Sequence, residues 1–386
     1  MDKEPNRSME ISINEPDTPH TPRMRVFTDA FSQNRLAAAG MVIFILFFIT
    51  AVAGVFLTSG AAPVFDPATV RLQEKLRPPL SPPAVELLRP DEMPPFGMYI
   101  FGTDDLGRDV FSRMLQGAWV SLTVGFVAVG ISVFVGIFLG GIAGYFGQIG
   151  ISPGHILAVL LLAAAAVFAA SGFLPAGLIL AAAAILFLWV FVRSRAEGAV
   201  SKKAVNILGR GMVTVDTLIM RLVDIMLCFP SFFLILTVVA LLPASIYNIM
   251  IVIGLTSWMG AARFVRAEFL SLREQDFVTA AKALGVNDMR IIFRHIMPNA
   301  IAPVLVSATI GIATAILTEA GLSFLGFGVP PPHATWGNIL SDGKRFIFDA
   351  PWLTFIPGTA ILIVVLCFNL FGEGLRDAFN PKLKER

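Results

Sequence analysis

Charged side chains at the edges of long apolar runs are the residues of this sequence most able to do chemistry. Asp216, Arg221 and Asp224 lie at the start of one such run, and Glu319 lies near the end of another. Charge at membrane depth is costly and suggests function by default. Because Arg221 and Asp224 are three residues apart, they can pair on a helix, which favours an interfacial ion pair over a substrate contact. Glu319 could line a cavity inside the protein or reach interfacial water, and the sequence favours neither.

Residue patterns for catalysis are missing from the sequence. It contains no Walker-type phosphate loop, no Ser/His/Asp arrangement and no HExxH motif. Cys228 and Cys367 lie inside apolar runs without metal-ligand spacing and are expected to be packing residues. His155 and His333 have no ligand partners nearby in sequence and are expected near the interface with water. The chain is therefore not expected to be an enzyme or to bind a metal or cofactor.

A polar segment between two apolar runs, residues 264–299, has the pattern of two short helices. Ala280, Ala281 and Leu284 lie at helical spacing and predict a small, smooth face. Gly285 can adopt a positive φ angle and end the first helix. The first helix is therefore expected to offer a surface that another protein could approach closely.

The second of these helices begins near Asp288 and mixes apolar with basic side chains. The apolar residues are Ile291, Ile292 and Ile296, and the basic ones are Arg290, Arg294 and His295. An acidic start and a basic end suit the helix dipole, and Pro298 marks the return of the chain to the membrane. These two short amphipathic helices could dock in a groove of a partner protein or form an ordinary interfacial loop. The residues alone leave both possibilities open.

Composition places the elements that carry these residues in a membrane. The chain has 386 residues, of which 56% are hydrophobic and 15% charged, and a mean hydropathy of +0.76, which is too apolar for an ordinary soluble domain. A net charge of +2 with scattered basic residues argues against a nucleic-acid surface. The first apolar run is too long and too far from Met1 for a signal peptide, so an uncleaved anchor is expected, although residues 59–62 loosely resemble a cleavage site.

Eight apolar stretches are long enough to cross a membrane, which takes about 20 residues. They are residues 36–58, 118–146, 155–171, 173–193, 218–242, 246–265, 300–320 and 354–372, of which the third is the weakest. Cytoplasmic loops carry an excess of lysine and arginine. By this rule both termini and the 264–299 segment are cytoplasmic, whereas the proline-rich loop 59–117 and the segment 322–352 lie outside.

Three segments resemble one family of membrane transporters. Residues 280–298, AAKALGVNDMRIIFRHIMP, resemble the EAA loop of bacterial ATP-binding-cassette importers, and their ending resembles the peptide-importer branch. Residues 101–113, FGTDDLGRDVFSR, and 317–326, LTEAGLSFLG, are similar to the C-type permease subunit of dipeptide and oligopeptide (peptide/nickel) systems. Thr279 stands where the EAA loop usually has glutamate, so a charge contact from that position to the ATPase is not expected.

The resemblance implies an all-α polytopic protein with a type I importer permease fold. It covers roughly residues 25–147 and 215–386, and implies six family-type spans, to which an inserted hydrophobic hairpin and basic linker at 148–215 would bring the total to about eight. The expected divisions are a polar cytoplasmic tail (1–35), a first span (36–58), an extracytoplasmic loop (59–117), a second span (118–147), the insertion (148–215) and a permease core (216–386) with a cytoplasmic coupling loop (266–299). An even number of added spans keeps the sidedness of the later spans, and the role of the insertion stays open.

The resemblance also implies which residues and partners take part in transport. The ATPase-coupling residues would be Ala280, Ala281, Gly285, Arg290, Arg294, His295 and Pro298, and those of the translocation path and outer mouth would be Glu319, Asp104, Asp105, Arg108 and Asp109. The chain would pair with a related permease in the inner membrane, above two cytoplasmic ATPases that bind ATP and Mg, and below an extracytoplasmic solute-binding protein. Dipeptides, oligopeptides, nickel chelates or another small solute would be carried.

A stand-alone carrier or channel without ATPase partners is the alternative from another functional class. Inverted internal repeats would favour it, and none is visible in the sequence. The importer reading therefore rests on three motifs in the expected order, and the identity of the solute stays open because a separate binding protein would largely select it.

Overall fold

A computed structural model describes residues 34–60, 63–89, 92–151 and 213–379, together with the isolated positions 161, 181, 182 and 185. In chain order its helices are α1 (Arg35–Thr58), α2 (Val110–Tyr145), α3 (Val215–Cys228), α4 (Ser231–Leu241), α5 (Ile246–Leu255), α6 (Trp258–Leu272), α7 (Asp276–Ala283), α8 (Asp288–Ile291), α9 (Met297–Phe324), α10 (Trp336–Gly343) and α11 (Trp352–Phe379). Short 3₁₀ turns lie at Leu72–Glu74, Val85–Leu87 and Lys344–Phe346, and a π turn at Ile292–Ile296 joins α8 to α9.

Within the described residues, four helical segments are long and apolar enough to cross a membrane, or up to six if each bent pair forms one span. The four are α1, α2, the continuous segment Asp288–Phe324 and α11. The bent pairs are α3 with α4, at 82°, and α5 with α6, at 40°. Six of the predicted apolar stretches therefore coincide with these helices. The two at 155–171 and 173–193 lie outside the described residues except for the isolated positions 161, 181, 182 and 185.

Two spans that were expected to be continuous are broken. Pro230 lies between α3 and α4, where it lacks an N–H and disfavours helix at the preceding residue. At the second break the Thr256 hydroxyl donates to the Val252 carbonyl at 2.6 Å, a bond to the preceding turn of the kind that bends helices. Each break depends on a single residue. Hydropathy averaged over a whole span does not reveal such a residue.

Helix α2 begins eight residues earlier than the predicted span at 118. Asp109 is its N-cap, and its carboxylate accepts hydrogen bonds from the backbone N–H groups of Phe111 and Ser112, which satisfies donors that the helix itself leaves free. The last part of the predicted loop 59–117 is therefore helical. With 36 residues, α2 is about 54 Å long at ~1.5 Å per residue, and α1, α5, α6 and α9 all pack against it.

Glycines on α2 allow α6 to approach closely. A Cβ atom at Gly136 would press on Ala261, one at Gly140 on the carbonyl of Ala262, and one at Gly144 on Phe269. Small residues at such a seam let two helix backbones touch inside a membrane. We call Gly136, Gly140 and Gly144 the glycine seam between α2 and α6.

The inserted segment begins and ends at the same place. Strand β1 (Gly150–Ile151) pairs antiparallel with β2 (Val213–Thr214), with Gly150 opposite Thr214. The predicted hairpin between them lies outside the described residues. Because its two ends meet, α2 and α3 are adjacent in the fold although about 70 residues separate them.

Helices α1 and α11 pack through aromatic rings and one of the two cysteines. The rings of Phe44 and Phe371 stack with centroids 4.9 Å apart. Cys367 is buried and its thiol approaches the Gly40 carbonyl at 3.1 Å, as expected for a packing residue. Cys228, at the end of α3, is instead exposed on the chain, because the break at Pro230 ends the helix there.

Candidate functional site

A cluster of four charged side chains lies at the N-terminal end of α2. Asp104 is fully buried and binds Arg108 at 2.7 Å and Arg113 at 2.5 Å. Both arginines also reach Asp342, at 3.2 and 3.0 Å. Two guanidinium groups are thus shared between two carboxylates, and the pairs offset the cost of desolvating each charge. We call these four residues the outer cluster.

The turn that precedes α2 positions this cluster. One oxygen of Asp104 accepts hydrogen bonds from the backbone N–H groups of Leu106 and Arg108, both at 2.9 Å. Gly107 has a φ of +73°, which favours glycine, and its backbone lies against the Arg71 carbonyl. Burial raises the pKa of the Asp109 carboxyl, which the helix-capping hydrogen bonds oppose. Asp104, Arg108 and Asp109 therefore hold the turn together.

Asp105 differs from its neighbours because it has no ion pair or hydrogen bond within the described residues. Burial raises the pKa of its carboxyl, and the charges of Asp104 and Asp342 add to the effect. It lines a cavity of about 460 Å³ together with Arg108, Arg113, Asp342 and the segment 328–333. Among the predicted mouth residues, Asp105 and Arg108 are thus the ones that face this cavity.

The segments 101–113 and 322–352 are brought together. The Trp352 indole N–H donates to the Thr103 carbonyl at 3.2 Å, and the Trp336 indole N–H to the Met114 carbonyl at 3.0 Å. Arg113 and Asp342, which bridge the two segments, were missed as site residues. Their sequence separation of 229 residues hides the pair from any local pattern, although an arginine beside the Asp104 motif was a usable signal.

Glu319 does not reach interfacial water, which was one of the two positions expected for it. Its side chain is 1% exposed and accepts hydrogen bonds from Ser323 at 2.6 Å and Ser121 at 3.5 Å. Helices α2 and α10 both pack over this part of α9, which keeps the side chain from water, and Glu319 is not among the residues that line the cavity beside the outer cluster. A role on the translocation path stays a prediction for this residue.

The loop 266–299 lies beside the other end of α2 and contains the two expected helices, α7 and α8. Gly285 ends the first with a φ of +75°, and the Asn287 side chain caps the second by accepting from the Arg290 N–H. The predicted shared face of Ala280, Ala281 and Leu284 is wrong for Ala281. Ala281 is buried, whereas Ala280 is exposed and Leu284 is 84% exposed.

The loop is fixed to the C-terminal end of α2. Arg273 donates to the Gly144 carbonyl at 3.1 Å, and the Tyr145 hydroxyl donates to Asp288 at 2.5 Å. The Lys282 ammonium lies 5.2 Å from the centre of the Tyr145 ring. Beneath these contacts lies a buried apolar cluster of Val265, Phe269, Val278, Ala281, Ile291, Ile292, Ile296, Ala300 and Val304. The loop therefore continues the packed core.

The outward side of the loop is apolar with a basic edge. Its exposed apolar residues are Phe277, Ala280, Leu284, Met289 and Phe293, and its exposed basic residues include Arg290 and Arg294. His295 is half-buried and Pro298 is exposed. The Thr279 hydroxyl donates to the Asp276 carbonyl at 2.9 Å. Ala281 therefore supports the loop from below, and the other predicted coupling residues lie at or near its surface.

The charged residues at the start of α3 pair with α6. Asp216 binds Arg266, and Asp224 binds Arg263 at 2.6 Å. The predicted pair Arg221–Asp224 is present only at 3.9 Å. Arg263 is the closer partner because the bend at Pro230 leaves α3 beside α6, a contact that helical spacing alone does not predict.

Comparison with known proteins gives one family and several relatives of similar length. Residues 207–385 match the family described as "Binding-protein-dependent transport system inner membrane component". The dipeptide transport system permease protein DppC of Alkalihalophilus pseudofirmus is 36% identical over 359 residues, 92% of this chain and 90% of that protein. The oligopeptide transport system permease protein OppC of Bacillus subtilis is 32% identical over 92% of this chain and 88% of that protein. DppC of Haemophilus influenzae is 32% identical over 95% and 97%.

Proposed function

The chain belongs to the family of binding-protein-dependent transport system inner membrane components, and on that premise we propose that it is the permease subunit of an ATP-driven importer of dipeptides or oligopeptides. Three relatives that each cover more than nine-tenths of the chain are named for dipeptide or oligopeptide transport. Their coverage includes the outer cluster and the 266–299 loop, so the likeness extends over both ends of α2.

The outward face of the 266–299 loop is the observation that carries the proposal. It exposes Phe277, Leu284, Met289 and Phe293 while its underside is packed into the core. An exposed apolar patch beside basic residues marks an interaction site. A cytoplasmic ATPase subunit docked here would push or pull on α6 and α9, between which the loop is continuous.

Movement of the loop would reach the opposite end of the chain through α2. Gly136, Gly140 and Gly144 hold α6 against α2 without intervening side chains, so the two helices would move together. The outer cluster would then transmit this movement to the segment 322–352. We propose alternating access of this kind, with a second permease completing the passage and a solute-binding protein meeting the outer mouth.

The remaining assignments follow from the same proposal. ATP and Mg would be bound and hydrolysed on two partner ATPases, and this chain would bind no cofactor. Both termini would lie on the cytoplasmic side of the inner membrane, as the distribution of lysine and arginine favours.

Purification of the tagged chain from its own host in mild detergent, followed by mass spectrometry, tests the proposal. Two ATPases and a related permease are expected with it, and reconstituted vesicles should take up a labelled dipeptide only with ATP and a binding protein. Recovery of the chain alone, with uptake in the absence of ATP, would instead identify a stand-alone carrier and overturn the proposal.

A further inference from the structure

A second cavity, of about 260 Å³, lies between α2, the break from α5 to α6, and α9. Its polar lining consists of hydroxyl groups from Ser132, Ser257, Ser307, Thr314 and Thr318, and the other lining residues are glycine, alanine, valine and isoleucine. No Asp, Glu, Lys or Arg lines it among the residues that the structure describes. We call this cavity the hydroxyl groove.

The hydroxyl groove lies at membrane depth. Helix α9 belongs to a candidate span, Asp288–Phe324, and Thr314 is ten residues before its end, or about 15 Å at ~1.5 Å per residue. Hydroxyl groups at this depth must find hydrogen-bond partners, because lipid tails offer none. Lipid filling the groove would therefore leave without partners those hydroxyl groups that are not already bonded to the helix backbone.

The Ser132 hydroxyl is available for hydrogen bonding in this groove. The residue is 6% exposed, it lines the cavity, and within the described residues no hydrogen bond to its hydroxyl is found. By contrast, the Thr318 hydroxyl donates to the Thr314 carbonyl at 2.8 Å, and the Thr314 hydroxyl to the Ile310 carbonyl at 3.1 Å. Those two hydroxyls keep free lone pairs. Within the described residues the hydroxyls of Ser257 and Ser307 also make no hydrogen bond, so the groove offers both free donors and free acceptors.

The break between α5 and α6 is an independent sign of water. Ser257, which lies in the break, and Gly260, just after it, both line the groove. Non-helical backbone at membrane depth is tolerated only where protein buries it or where it borders a water-filled cavity. Since Ser257 is exposed on this chain, the break borders the cavity rather than a packed interior.

We propose that the hydroxyl groove is this chain's wall of the peptide passage, and that it contacts the peptide backbone without selecting for side-chain charge. The inference rests on the proposed transport function. Neutral hydroxyls match the N–H and C=O groups that every peptide carries, whereas a wall without ionised groups gives no preference to acidic or basic side chains. Ser132 and Thr314 are the residues assigned to this contact.

Cysteine accessibility tests whether the groove is hydrated. In a chain carrying Cys228→Ser, we compare Thr314→Cys with Leu305→Cys in native membranes that contain the assembled transporter. Both positions are exposed on α9, but nine residues at ~100° per residue place them on opposite sides of the helix, at similar distances from its middle. The probe is a charged, membrane-impermeant methanethiosulfonate reagent.

We expect Thr314→Cys to react at least tenfold faster than Leu305→Cys, and a transported dipeptide to slow the reaction. Ser307→Cys, on the same side as Thr314, provides a second variant if Thr314→Cys fails to accumulate. Equal or absent reactivity of the groove cysteines, with uptake and ATPase capture intact, would overturn the groove proposal and leave the proposed function standing. If the unsubstituted chain shows neither uptake nor ATPase capture, the proposed function itself is overturned.

Uptake kinetics test the contact with the peptide backbone. Thr314→Val keeps the shape of the side chain and removes its hydroxyl. We expect a several-fold fall in uptake that is the same for a lysine-containing and a glutamate-containing dipeptide. An unchanged rate for both peptides, or a fall that depends on charge, would contradict the proposal.

Discussion

The two ends of helix α2 differ in how completely this chain satisfies its own groups. At the N-terminal end every charged side chain of the outer cluster has an ion-pair partner within the chain, since Asp104 and Asp342 both pair with the two arginines. At the C-terminal end the 266–299 loop is anchored from below but leaves Leu284 and Phe293 exposed. The first end is therefore held by its own contacts, whereas the second presents a surface that another molecule must complete.

This difference orders the expected effects of substitutions on folding. Changes at the outer cluster should destabilise the chain most, changes at the glycine seam between α2 and α6 less, and changes on the outward face of the loop least. Effects on transport need not follow the same order, because the loop acts on partners.

The largest loss of stability is expected for Arg113→Met. This change removes one of two guanidinium groups from the fully buried Asp104, and breaking a buried pair typically costs about 3–5 kcal/mol. Denaturant titration of the protein in detergent micelles measures the change in the free energy of unfolding. The control is Arg376→Met, at an exposed pair with an N–O distance of 3.9 Å, where about 0.5 kcal/mol or less is expected. Equal effects of the two variants would show that the outer cluster does not hold this end of α2.

A smaller loss is expected for Gly140→Ala. The added methyl group would press on the Ala262 carbonyl, and overpacking costs about 1–3 kcal/mol. Gly130→Ala is the control on the same helix, since a Cβ there meets nothing within 4 Å, and its stability should be unchanged or slightly raised. The same titration checks both variants. Equal free energies of unfolding for the two variants would show that the close packing of α6 against α2 at Gly140 adds no stability. The glycine seam would then not be the link that couples the two ends of α2.

The sequence predicts the spans well because hydrophobicity over about 20 residues is a strong signal. It predicts the ends and breaks of those spans less well. The cap at Asp109, the break at Pro230 and the hydroxyl bond of Thr256 each depend on one or two side chains. Such local bonds disappear in an average over a whole span.

Site residues were predictable where a motif is local and not where contacts join distant segments. Asp104 and Arg108 lie in one motif, whereas Asp342 joins them across 234 residues. Ala280 and Ala281 show a second limit. Adjacent helical residues point about 100° apart, so only the packing of the helix decides which of them is buried, and it buries Ala281.

A still smaller loss of stability is expected for Gly285→Val. The φ of Gly285 is +75° and nothing lies within 4 Å of the place where its Cβ would be, so only backbone strain is added, about 1–2 kcal/mol. We expect the assembled transporter to hydrolyse ATP with several-fold lower uptake per ATP, because α7 and α8 would lose their relative orientation. Asparagine tolerates this φ, so Gly285→Asn should keep most of the coupling between ATP hydrolysis and uptake. Normal coupling in the valine variant would refute the role of this turn.

The smallest effect on stability, and the sharpest test of the comparison, is expected for Leu284→Asp. Leu284 is 84% exposed, and a substitution at such a site usually changes stability by about 0.5 kcal/mol or less. A carboxylate placed in a docked apolar surface must be desolvated, so capture of the ATPases by the tagged chain should fall at least tenfold. Leu72→Asp, at an exposed leucine beyond the other end of α2, should retain them. If the Leu284 variant folds and still captures the ATPases, the outward face of the loop is not the site where they bind. The difference between the two ends of α2 would then not explain how the chain engages its ATPases.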